Sequence, residues 1–80
     1  MAEVINMPQK LTREEQIIID WQYRRSMGDF QRSLMKTISL ADSGNQELLA
    51  KAFPVHVSSY RRFSTESGWF QSVERKAGLV

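Results

Sequence analysis

Apolar and polar residues alternate along this chain with the period of a helix, and four breaks divide the pattern. The first periodic run follows "LTREEQ". Thr12 stands three residues before Glu15, a spacing that lets the two satisfy each other's backbone N–H groups as a capping box. Glu14 and Glu15 also favour the positive end of a helix dipole. A first helix is therefore predicted over about 12–25. Ile17, Ile18 and Trp21 lie on one side of it, Ile19 and Tyr23 on a neighbouring one, and Asp20 is spaced to pair with Arg24. "SMGD" is the first break. Gly28 is expected to end this helix, with Ser26 or Asp29 opening the next; the alternative is one long helix kinked at Gly28, since Ile19, Tyr23, Met27, Phe30 and Leu34 step at near-helical spacing.

A second helix is predicted over 29–41, where Phe30, Leu34, Ile38 and Ala41 form an apolar stripe widened by Met35, with Arg32 and Lys36 facing away. "DSGN" is the second break. A third helix follows over 45–52, with Leu48, Leu49 and Ala52 inward and Glu47 spaced to pair with Lys51. Ser43 and Gln46 repeat the capping-box spacing. Phe53 precedes proline and is biased out of the helix, and Pro54 suits a first helical position. A fourth helix is predicted over 54–64, with Val57, Tyr60 and Phe63 inward and Arg61 and Arg62 outside. Gly68 suits a left-handed cap, and a short fifth helix over 69–76 would end at Gly78. The predicted fold class is all-α: a small bundle of four to five short helices. Residues 1–10 lack periodicity and read as an arm, and 11–80 as one helical domain.

The break at Gly44 raises the question of a DNA-reading helix-turn-helix. Setting Gly44 in that turn puts Leu40 where a small residue must sit. It puts Ser39, Ser43 and Asn45 where apolar residues belong, and only Ala50 and Phe53 comply. The reading helix would carry a single cation, Lys51, whereas such helices send several donors to bases and phosphates. A capped corner between two amphipathic helices fits better, with Gly44 free to take a positive φ.

Composition narrows the function. Eighty residues make one small domain, and a chain of this size buries only about 60% of its unfolded surface. Without cysteine it has no disulfide or thiolate metal site. Its stability rests on packing, helped by any self-association into a homo-oligomer. The longest apolar run is Ile17-Ile18-Ile19, far short of a membrane span, and "MAEVINMPQK" does not read as a secretory signal. A cytoplasmic protein is expected. The net charge is +2. Residues 1–20 are acidic and the remainder basic, which gives a mild pull toward anionic partners.

Little else resembles chemistry. His56 is the one histidine, and no cysteine or nearby carboxylate accompanies it in sequence. It reads as a surface or boundary residue. Glu14 and Glu15 are adjacent and point to different helix positions, unlike a general-acid pair held at one site. No glycine-rich phosphate loop is present. Neither an enzyme nor a metal or cofactor site is expected. What remains are basic residues beside aromatics: Arg24 and Arg25 after Trp21, Arg61 and Arg62 beside Tyr60, and Arg75 and Lys76 after Trp69 and Phe70. Such groups serve as phosphate contacts, stacking platforms or protein anchors. The plain alternative is aromatics turned inward with arginine stems coating the surface. Trp69 and Phe70 either lock the bundle or present an anchor.

The segment "DFQRSLMKTISLADSGNQELLAKAFPVHVSSYRRF", followed by "GWF", resembles small uncharacterised proteins of bacterial phages and mobile elements. The shared positions are Phe30, Leu34, Ile38, Ala41, Asp42, Asn45, Leu49, Phe53, Pro54, Val57 and Tyr60. Val55 and His56 depart from the acidic residues often found there. The resemblance implies an accessory protein of the bacterial cytoplasm and transfers no activity. The function expected is a non-enzymatic module that binds a host or element protein. The alternative is a nucleic-acid-associated protein holding phosphates through its Arg/Lys pairs.

Overall fold

The computed structural model describes residues 10–25 and 27–80, so the predicted arm lies almost wholly outside the described residues, as does Ser26. Among the described residues there are five helices: α1 Arg13–Gln22, α2 Asp29–Leu40, α3 Ser43–Ala52, α4 Pro54–Thr65 and α5 Trp69–Lys76. Among the same residues there is no strand. The all-α bundle predicted from periodicity is the observed one, including the short fifth helix.

The helix starts follow local chemistry. Thr12 caps α1 through the full box: its N–H donates to Glu15 Oε1 at 2.8 Å, and its hydroxyl accepts from the Glu15 N–H at 3.2 Å. Asp42, not Ser43, caps α3 and accepts from the Asn45 N–H at 2.8 Å. Helix α3 therefore begins two residues earlier than predicted, and Gly44 lies inside its first turn without a positive φ. A single carboxylate nearer the turn outcompetes the Ser–Gln spacing, and the Gln46 amide instead donates back to the Ile38 carbonyl at 3.2 Å. Phe53 both ends α3 and precedes α4, with Pro54 at the first helical position.

The helix ends differ more from expectation. Helix α1 stops at Gln22, well short of Gly28, which serves as the N-cap of α2 with an ordinary φ of −73°. Arg24 makes the break. It takes φ 55°, and the Arg25 N–H reaches back to the Asp20 carbonyl at 3.0 Å. Residues 78 and 79 repeat the motif after α5: Gly78 has φ 77° and the Leu79 N–H bonds the Glu74 carbonyl at 2.9 Å. Gly68 is left-handed as foreseen, with φ 84°, but as the residue that opens α5. Because Arg24 lies beyond the helix, Asp20 does not pair with it and accepts instead from the Gln16 amide at 2.8 Å.

Helix α4 packs against each of the other four helices. One part of the core joins Ile17, Met27, Leu34, Met35, Ile38 and Val57, flanked by Leu49, Phe53 and Tyr60. The other joins Ile18, Ile19, Trp69 and Val73, flanked by Leu11, Phe63, Phe70 and Leu79. The three consecutive isoleucines thus divide between the two. Trp21 packs against both, meeting Tyr60 and Phe63 edge-on at centroid distances of 6.1 and 5.9 Å. Where α1 crosses α4, Ser59 is fully buried and its hydroxyl donates to the Glu14 carbonyl at 2.7 Å.

Candidate functional sites

The paired cations of the sequence do not form one free set. Arg61 donates to Gln46 Oε1 at 2.9 Å and to Glu47 at 3.0 Å. Glu47 therefore faces α4 and not Lys51. Arg62 binds Glu14 at 3.1 Å and Glu66 at 3.2 Å, and its guanidinium stands 4.9 Å from the Trp69 ring centroid. Its pKa lies above the ordinary value, chiefly through the bond to Glu14. Glu14 also accepts from the Ser58 hydroxyl. Lys76 donates to Glu15 at 2.9 Å. The two adjacent glutamates thus bind different helices, α4 and α5. Burial acts to raise Glu15, but the bonds from Lys76 and Thr12 outweigh it and hold the carboxyl below its ordinary value. These groups are staples between helices.

Trp69 and Phe70 lock the bundle. Trp69 is buried, and the half-buried Phe70 meets Phe63 edge-on at 5.3 Å. Trp69 offers no exposed anchor to a partner.

His56 is not on the surface. It is 8% exposed, stands edge-on to Phe53 with centroids 6.2 Å apart, and its Nε2 has no hydrogen-bond partner. Burial, with a smaller contribution from Arg13, pushes its pKa below the usual value. No hydrogen bond joins it to a carboxylate or hydroxyl among the described residues. Among the described residues, no group of three His, Asp or Glu side chains could hold a metal ion, and no helix is long and apolar enough to cross a membrane.

Two surfaces have a different character. The first is apolar. Helix α3 has no fully buried side chain. Leu48, predicted inward, is 61% exposed, and Leu40 at the end of α2 is 75% exposed. These two, with Thr37, Ala41, Asn45 and Leu49, line a groove of about 450 Å³ between α2 and α3. The exposed Phe30, predicted in the core stripe, instead meets Phe53 at 5.9 Å at the other end of the same helix pair. Helical spacing puts Phe30, Ser33, Thr37 and Leu40 on one stripe of α2, and Asn45, Leu48 and Ala52 on one stripe of α3. All are uncharged, in a chain with 25% charged residues.

The second surface is basic. Trp21 near the end of α1, Arg24 in the turn that follows it, and Arg32 and Lys36 from α2 line a concavity of about 370 Å³. Arg32 is held there by the Met27 carbonyl and by the exposed carboxylate of Asp29. Arg24 belongs to the set singled out from sequence. Arg32 and Lys36 do not, since a one-helix reading only shows them turned away from the core. Their i, i+4 spacing was the available signal, and the approach of α1 to α2 supplies the rest.

No protein-family model matches this chain, and neither a curated protein nor a solved structure matches it.

Proposed function

We propose that this protein is a small non-enzymatic interaction module whose α2–α3 face receives an amphipathic helix of a partner protein. The observation that carries the reading is the uncharged double stripe with Leu40 and Leu48 standing exposed beside a groove. A hydrophobic helix face laid into such a groove is a recurrent mode of recognition. Exposed apolar surface rimmed by polar residues marks interaction sites. Because the stripe lacks charge, the complementary partner surface is apolar and uncharged along its centre. The sequence resemblance supports placing this role among accessory proteins of phages or mobile elements, with the partner a host or element protein in the bacterial cytoplasm.

The test compares tagged wild type with Leu40→Glu and Leu48→Glu in pull-downs from bacterial lysate, with and without nuclease, alongside sedimentation of each purified protein. A stoichiometric protein recovered by wild type, insensitive to nuclease and lost in both variants, supports the reading. Recovery unaffected by either variant overturns it. A wild-type dimer that both variants dissociate would replace the partner by a second copy of this chain.

A further inference from the structure

We propose that the concavity of Trp21, Arg24, Arg32 and Lys36 binds the phosphate of a nucleotide whose base is unpaired. It lies on a different side of α2 from the apolar stripe and does not depend on the α2–α3 reading. Two independent observations converge on it.

The first is the chemistry of the lining. Three cations and one indole meet across two helices. The side chains of Arg24 and Lys36 make no hydrogen bond or ion pair among the described residues. Arg32 is oriented by the Met27 carbonyl and shares one side with Asp29. A guanidinium has five N–H donors, so these contacts leave donors for a ligand. Three cations around a concavity match a phosphate group, and arginine does so with a fixed fork of donors. Charge alone would accept any anion. The half-buried Trp21 adds aromatic surface to the lining, and an unpaired base can pack on an indole. Trp21 is itself held edge-on by Tyr60 and Phe63.

The second is the backbone of Arg24. The same helix-ending motif occurs twice, with glycine at the left-handed position after α5 and arginine at the left-handed position after α1. Glycine takes that conformation without steric cost, whereas an arginine there is strained. Strain of this kind is retained where the side chain has a use, and here it brings the guanidinium to the rim of the basic concavity.

The source of the phosphate, a free nucleotide or a single strand, is resolved by the arms of one experiment. Binding of labelled single-stranded oligonucleotide is followed by fluorescence anisotropy, with a nucleoside monophosphate and a duplex of the same sequence as competitors. With one phosphate neutralised, single-strand affinity should fall about two- to threefold between 50 and 200 mM salt. Lys36→Gln and Arg24→Gly should each weaken binding at least fivefold. Arg24→Gly should do so without lowering the thermal midpoint, because glycine suits the backbone there; that combination separates loss of a ligand contact from loss of fold. Competition by the monophosphate at concentrations comparable to the oligonucleotide's assigns a free nucleotide, and competition only at far higher concentration assigns a strand. Absence of binding at 50 mM salt, binding unchanged in both variants, or duplex competing as well as single strand overturns the proposal.

Discussion

The hydroxyl of Ser59 donates to the backbone carbonyl of Glu14 at 2.7 Å from a fully buried position on α4. A small polar residue there lets α1 and α4 approach closely and ties one to the other. Ser59→Ala should cost about 1 kcal/mol, the typical net value of one hydrogen bond. Ser59→Leu should cost about 1–3 kcal/mol by forcing the helices apart. Chemical denaturation of both variants measures the difference.

His56 makes stability depend on pH above the carboxylate range. Its folded pKa lies below the ordinary value of 6.5, first through burial and then through Arg13. The unfolded chain therefore takes up a proton first as pH falls, and stability declines below about pH 6.5. His56→Leu should remove that slope. It should also raise stability at neutral pH by about 1 kcal/mol, since the unpartnered buried Nε2 disappears. Urea midpoints from pH 5 to 8 are the readout.

Glu15 contributes in a lower window. Its folded pKa is depressed below 4.5, so its contribution is complete above the unfolded value and is lost as pH falls through the folded one. Among the described residues, Lys76 is the one side chain outside α1 and its cap that sets this shift. Lys76→Met should therefore bring the folded pKa back toward the unfolded value and flatten the loss below pH 4.5. The effect should stay under about 1 kcal/mol, as expected for a pair near the surface. The Glu15 carboxyl can be titrated directly by NMR in both proteins.

Arg24→Gly should stabilise the fold by up to about 1 kcal/mol, the steric cost of a left-handed L-residue less the entropy glycine loses on folding. The mirror substitution, Gly78→Arg, should destabilise by a similar amount. Thermal melts of the pair test whether the two motifs are energetically equivalent.

Leu48 and Ile38 should behave oppositely despite their similar size. Ile38 is fully buried, and Ile38→Ala should cost about 2–5 kcal/mol through lost burial and a cavity. Leu48→Ala should change stability by no more than about 0.5 kcal/mol, because Leu48 already faces water. Only the second belongs to the surface proposed for a partner.

The features legible in the sequence were those governed by neighbours along the chain. The Thr12–Glu15 box, Pro54 at the start of α4 and Gly78 at the end of α5 each follow from a local hydrogen bond or a fixed dihedral. The end of α1 did not, because Arg24 adopts a conformation that residue type disfavours. Periodicity gave each helix an apolar face but not its neighbour. Leu48 and Phe30 were therefore assigned inward, although α4 covers only part of α3, and the N-terminal turn of α2 projects past the core. The basic concavity was half visible: Trp21 and Arg24 stood out beside each other, while Arg32 and Lys36 join them only once α1 and α2 pack.

Trp21 touches both halves of the core, and this gives it a role beyond its own contacts. Loosening either half disturbs the same indole, so the two halves are expected to melt together. A ligand resting against that indole would be sensed by both halves together, as a rise in the temperature at which the entire bundle comes apart.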